Sequence, residues 1–301
     1  MKFSFNTFNH TVFLGLEPTL PAQIAAAGAA GYEHIGVDVP SVVAHAESGV
    51  PMTALVDAMA AAGVTPYELN FWAILPDVDA SRAGLASALE VFDGLGAVWL
   101  QSVVMGPVDE HVVAMVRDAS RALADRGARL AVEYLPTYPV CSIRDVLALN
   151  DAVGAPGIAV CVDAHHFFRG PDTFDDFDAL ADGDLAFLQF CDALPLGEPG
   201  AMDLGDAMVN GRAMAGDGEF PLDEFCRHAH ARDYDGVVSV EILSSVWRAR
   251  PLDEFVKTSL ETTKGRVSTC VAVVVILIHA FRWTGTVSCT SARSSHVFSC
   301  T

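Results

Sequence analysis

The sequence predicts an α/β protein built as a single (β/α)8 barrel, a TIM barrel, with an atypical C-terminal tail. Three observations predict it. Eight short apolar runs alternate with Ala- and Leu-rich stretches of helical pattern across residues 1–264, the rhythm of a parallel barrel. Runs such as AVWLQSVV and GIAVCVD are apolar throughout, as parallel strands buried on both faces require. No G-x-G-x-x-G follows the first run and no G-x-x-x-x-G-K-[ST] occurs anywhere, so an open dinucleotide- or P-loop-type sheet lacks its key residues.

In chain order the predicted strands are Lys2–Asn6, His34–Asp38, Pro66–Phe71, Ala97–Val104, Leu130–Tyr134, Ile158–Asp163, Phe187–Cys191 and Val237–Glu241. The helical patterns between and after them are Pro21–Ala30, Thr53–Ala62, Ser81–Phe92, Glu110–Ala124, Ile143–Ala152, Phe174–Ala181, Leu222–Ala231 and Leu252–Thr262. The barrel domain is therefore read as 1–264. Residues 265–301 differ in kind. They hold none of the 38 Asp and Glu residues and are rich in Ser, Thr, Val and Cys. VAVVVILIHAFRW within them has no periodic polar face and fits a strand or a helix. Two readings of the tail stay open: read-through or frame-shifted sequence outside the barrel, and a genuine extension used in packing or association.

Composition bounds the function. With 301 residues, 51% hydrophobic and 19% charged, the chain can bury a large core and is not a disordered one. A net charge of −20 repels phosphate backbones, so nucleic acid is not the expected partner. The seven cysteines form no C-x-x-C pair, and Cys141, Cys161, Cys191 and Cys226 read as reduced, mostly buried thiols. MKFSFNTFNH carries no apolar signal core, and the longest apolar stretch, Val271–Ala280, is half the roughly 20 residues that span a bilayer. A cytoplasmic protein that does not enter membranes is expected. A homo-oligomer is compatible with the sequence, although no residue demands one.

The C-terminal ends of barrel strands are where catalytic side chains gather. Four strands end on suitable residues: RLAVEYLP delivers Glu133, IAVCVDAHHF delivers Asp163, AFLQFCDA carries Gln189 and VVSVEIL ends on Glu241. A carboxylate after several apolar residues is costly unless paired or metal-bound, and three at one mouth would repel one another. One bound divalent cation relieves this. An all-oxygen set of Glu133, Asp163, Gln189 and Glu241 favours Mn²⁺ or Mg²⁺, with Co²⁺ or Zn²⁺ as alternatives. His165 and His166 follow Asp163 on what reads as a loop; Asp-x-x-His spacing puts His166 near the metal. Arg169, and Arg212 in the long connection Ala193–Phe220, are candidates for holding substrate, as are His165 and, around the ends of strands one and three, Asn6, Asn70 and Trp72. Glu68 reads as a structural carboxylate.

The E-Y-L-P of strand five, V-D-A-H-H-F-F-R-G of strand six, Q-F-C-D-A of strand seven, the G-D-G-E-F-P-L turn and the V-E of strand eight together resemble the sugar phosphate isomerase/epimerase family. These are the xylose-isomerase-like barrels, also grouped as AP endonuclease family 2. The resemblance implies a metal set of Glu, Asp, His, Glu, matched here by Glu133, Asp163 and Glu241, with Gln189 in the histidine's place as in the hydroxypyruvate isomerase branch. It implies that His166 is the family's histidine three residues after the metal aspartate. Arg212 looks like the substrate-binding arginine ahead of the glycine-rich turn. The endonuclease function of one branch is not expected, because its histidine set is missing and the chain is acidic.

The expected activity is isomerisation or epimerisation of a small polyhydroxylated ketone or aldehyde through a metal-stabilised enediolate. Glu133 and Glu241 would move the proton and His166 would stabilise the oxyanion. A lyase of the 3-dehydroshikimate or inosose dehydratase type shares the first half-reaction. A catalytically silent metal-binding barrel is the alternative from another class.

Overall fold

A computed structural model describes residues 1–197 and 202–283, with the side chains of 269–283 left aside. Eight parallel strands close a barrel: β1 Lys2–Asn6, β2 His34–Asp38, β3 Thr65–Ile74, β4 Trp99–Val104, β5 Arg129–Glu133, β6 Ala159–Asp163, β7 Leu185–Phe190 and β8 Val237–Val240. Each strand pairs with its chain neighbour, and β1 closes on β8 with Lys2 opposite Val237. All eight predicted runs are strands. The largest boundary difference is β3. It continues to Ile74 because Trp72–Ile74 pair with Ser102–Val104, a cross-strand contact that local pattern does not report.

Period-two alternation sorts each strand's side chains between the helical shell and the barrel interior. Phe5 faces outward, with its ring centroid 5.5 Å from Tyr32 and 6.1 Å from Phe255. Inside, the barrel is layered. Trp99, Ala131, Ala159, Cys161, Ala186 and Phe187 form an apolar cluster separate from the main core, with Tyr67 packed on it. A second interior group is polar: the Ser4 and Ser239 hydroxyls donate to Glu68, and the Gln189 amide donates to Gln101. Bulky branched residues usually dominate such interiors. Here side-chain hydrogen bonds satisfy the polar filling. Gly36 is required beside it, since an added Cβ would lie 2.3 Å from Glu68 Oε1.

The helical shell follows the sequence closely, with Glu110–Ala124 and Leu222–Ala231 at their predicted bounds. Helices Val39–Glu47 and Ser245–Arg248 were not predicted, and three further local features differ. His165 and His166 lie not on a loop but on the short helix Ala164–Arg169, because the Asp163 carboxylate caps it by accepting from His165 N at 2.6 Å. The predicted helix Phe174–Ala181 stops at Asp178. The long connection after β7 holds a helix, Leu204–Asn210, and an antiparallel pair of Asp192–Ala193 with Arg212–Ala213.

The final helix runs Leu252–Trp283, crossing position 264 without a break. Val267 is buried and Arg266 pairs with Asp223 at 3.2 Å, so the helix stays packed beyond that position. The expectations for the tail after Trp283 lie outside the described residues. Among the described residues no helix is long and apolar enough to cross a membrane. Cys141, Cys161, Cys191 and Cys226 are free thiols, the last three buried.

Candidate metal centre

Barrel closure brings the polar strand ends to one mouth. Glu133 and Asp163 are the last residues of β5 and β6, Glu241 follows β8 directly, and Asn6 ends β1. All four are buried. One ligand atom each from Glu133, Asp163 and His166 lie within 4.8 Å of one another. His166 Nε2 is 3.1 Å from Glu133 Oε1 and 3.9 Å from Asp163 Oδ2.

Arg212 enters this group rather than standing outside it. Its Nη1 donates to Asp163 Oδ2 at 2.6 Å and lies 3.0 Å from Glu241 Oε2. Its Nε donates to the Met208 carbonyl at 3.0 Å. The bridge fixes the electrostatics. Burial alone would raise the Asp163 carboxyl, but the charge of Arg212, with His166 and His165, holds it below its ordinary value. Glu241 is pushed well above its ordinary value by burial, against Arg212, with Glu133 and Asp163 adding to the rise. One guanidinium thus faces three buried carboxyl groups, a charge imbalance under which Asp163 is lowered and Glu241 raised.

That imbalance, with the converging donor set, fits a divalent cation. Glu133, Asp163 and Glu241 offer carboxylate oxygens, and His166 adds a nitrogen that the predicted all-oxygen set did not include. The Gln189 amide is engaged within the barrel: its oxygen accepts from Cys161 Sγ at 3.2 Å and its nitrogen donates to Gln101 Oε1 at 3.1 Å. Gln189 would have to give up the thiol's hydrogen bond to offer that lone pair to a metal.

The other predicted residues divide. Asn6 Nδ2 donates to Glu241 Oε1 at 2.9 Å and Asn6 Oδ1 accepts from Asn70, so both asparagines hold the glutamate in place. Asn70 also lines the cavity above the carboxylates. Trp72 is turned away, its indole donating to the Ser81 carbonyl at 2.8 Å. His165 is buried behind His166, its ring against Phe220 at 5.9 Å, and burial keeps its pKa far below the ordinary value. Arg169 is committed to the loop after β7, with Glu219 at 2.7 Å and the Leu194 carbonyl at 2.9 Å.

Gln101 was missed. Its amide donates to Glu133 Oε2 at 2.6 Å and lines the cavity. The signal was present, since it is the one large polar residue inside AVWLQSVV. The aromatic wall of Phe8, Phe13 and Phe71 was also missed. Phe8 and Phe13 lie on the short 3-10 turns Thr7–His10 and Val12–Leu14, and Phe71 lies within β3, so their meeting depends on barrel closure rather than on local hydrophobic pattern.

A family model described as the xylose isomerase-like TIM barrel matches residues 21–264. The chain belongs to that family. No curated protein matches the sequence. Solved structures share the fold. One, described as IolI protein with a binding zinc atom, superposes with a TM-score of 0.78 at 17% identity, covering 89% of this chain and 99% of that one. The probable 3-DHS dehydratase AsbF of Bacillus anthracis gives 0.69 at 15% identity, covering 88% and 99%. A D-psicose 3-epimerase studied with D-fructose gives 0.66 at 16% identity, covering 89% and 99%. At these identities the likeness is one of fold.

Proposed function

We propose that the protein is a divalent-metal-dependent isomerase or epimerase of a small sugar-like ketone or aldehyde. The observation that carries this reading is the placement of Glu133 and Glu241 on one cavity, each buried and each held by a side-chain amide, Gln101 for the first and Asn6 for the second. Two fixed carboxylates facing one substrate are what proton removal and return at a carbon beside a carbonyl requires. Glu133, Asp163 and Glu241, with Gln189 or His166, would hold the metal. Carboxylate oxygens favour Mn²⁺ or Mg²⁺, and a His166 nitrogen brings Co²⁺ or Zn²⁺ into range. The zinc bound by the IolI protein, which shares the fold, supports a metal in this chain. A cation there supplies Lewis-acid polarisation of the carbonyl.

Glu133 removes the proton and Glu241 delivers one to the other face or carbon. With Gln189 as the fourth ligand, His166, 3.1 Å from Glu133, would donate a hydrogen bond to the oxyanion that develops as the proton leaves. Asn6 and Asn70 hold Glu241 at a fixed angle.

The test is proton exchange. Protein loaded with Mn²⁺ is mixed in D₂O with a panel of ketoses, inososes and dehydroshikimate, and deuterium beside the carbonyl is followed by NMR. Glu133→Gln and Glu241→Gln each lower exchange and turnover by about 100-fold or more while circular dichroism is unchanged. Full activity in both variants would sink the mechanism. A dehydratase is the second reading, supported by the AsbF likeness in fold. It shares the proton removal but lowers product mass by one water, which mass spectrometry separates from isomerisation.

A further inference from the structure

The cavity over the carboxylates has a polar floor and an apolar wall. Its volume is about 250 Å³, room for a single ring or a short branched chain. The floor is Glu133, Glu241, His166, Arg212, Gln101 and Asn70. Above it Phe8, Phe13 and Phe71 pack on one another, Phe71 edge-on to both others at centroid distances of 5.3 and 5.9 Å. Met208, Val103 and Leu243 are among the side chains that extend the apolar surface. Among the described lining residues only Thr137 and Tyr138 bring hydroxyls outside the floor, and Thr137 turns its own toward Met208 Sδ at 3.8 Å.

Such a wall discriminates by what it leaves unpaired. Each sugar hydroxyl pressed against phenyl and thioether groups leaves water without a partner and weakens binding. A carbon body of the same size gains from burial. Charge narrows the class further. Arg212 is the only permanently charged cation among the described lining residues, its Nε and Nη1 are spent on protein partners, and two carboxyl groups share the floor with it. A phosphate or carboxylate on the substrate would meet Glu133 and Glu241 there and share a guanidinium already bridged to Asp163 and Glu241.

Resting on the functional reading above, we propose that the substrate is an uncharged hydroxyketone with an apolar carbon body, one ring or a short branched chain, rather than a fully hydroxylated or phosphorylated sugar. The hydroxyketone end meets the polar floor and the body packs on Phe8, Phe13 and Phe71.

The test compares three ketones that share a hydroxymethyl ketone end: 1-hydroxy-3-phenylpropan-2-one, L-erythrulose and D-ribulose 5-phosphate. Binding to the Mn²⁺-loaded protein is measured by calorimetry, and deuterium uptake beside the carbonyl by NMR. The phenyl ketone is expected to bind about 10-fold or more tightly than the other two. Phe13→Ser is the safe variant, because that ring is 59% exposed and carries little of the fold. It weakens the phenyl ketone several-fold, and more than it weakens erythrulose. Phe71→Ser does the same more strongly.

Erythrulose or the phosphate binding as tightly as the phenyl ketone overturns the inference, as does a Phe13→Ser effect equal on all three. Binding of none overturns it too. Exchange on erythrulose alone upholds the isomerase reading while overturning this one. Tight phenyl ketone binding without exchange does the reverse, supporting the apolar substrate and removing the proton-transfer reaction.

Discussion

Glu68 sits wholly inside the barrel with hydroxyl donors, Ser4 and Ser239, rather than a cation as partners. Burial lifts its carboxyl from 4.5 to about 7, against those hydrogen bonds. The folded chain therefore keeps a proton that the unfolded chain releases between these two values. The stabilisation is complete below about 4.5 and is lost as pH rises through about 7. Its size is on the order of 3 kcal/mol. Urea denaturation at pH 5 and pH 8 measures it: Glu68→Gln removes that part of the pH dependence, and an unchanged difference between the two pH values would show that Glu68 is ionised throughout. At this scale the sequence was legible where a polar residue interrupts or ends an apolar strand. Glu133, Asp163 and Glu241 declared themselves so. Partner choice was not legible. Asn6 and Glu241 meet across 235 positions, and Arg212 reaches Asp163 across 49. Those contacts exist only because the barrel closes.

The connection after β7 shows how one element positions another. Asp192 is buried and accepts three backbone N–H groups, from Ala193 at 2.9 Å, Gly216 at 3.0 Å and Phe220 at 2.9 Å. It pins both ends of the segment that carries Arg212 into the carboxylates. Gly218 has to be glycine at this crossing, since a Cβ there would lie 2.3 Å from the Ala193 carbonyl and the Asp192 carboxylate. Asp192→Ala leaves three donors without their acceptor and is expected to cost about 3 kcal/mol in urea denaturation. Asp192→Asn, which keeps one accepting oxygen, costs less. Equal stability of all three proteins would assign the loop's order to other contacts. Sequence reading found this connection by its length and its glycines. It could not see the Leu204–Asn210 helix, too short to show periodicity, nor the two-residue strands. The Ala164–Arg169 helix was hidden for a related reason: its cap, Asp163, is also a strand end and a candidate ligand.

Across the molecule, a net charge of −20 loads the folded state with self-repulsion, and the candidate metal centre adds three carboxyl groups at one point. Thermal melts are expected to rise with millimolar Mn²⁺ far more than with sodium chloride of equal ionic strength, which screens the surface alone. Ligand at about 100 times its dissociation constant adds about 3 kcal/mol. Asp163→Asn abolishes the Mn²⁺ increment and keeps the salt response; a metal increment that survives in this variant would place the cation elsewhere. The fold class, the eight strands and three of the acidic residues at the mouth were determined by the sequence by itself. Apolar periodicity and the cost of ending a buried strand on a charge are local properties, readable along the chain. Tertiary structure alone decided that Arg212 bridges Asp163 and Glu241, that Gln189 is held by Cys161 and Gln101, and that His166 faces Glu133. It also decided that three phenylalanine rings, unremarked in the sequence, wall the cavity. The physical reason is common to all of them. Each depends on which side chains converge when a sheet closes on itself, and convergence is set by register and strand tilt around the whole ring rather than by any stretch of neighbouring residues.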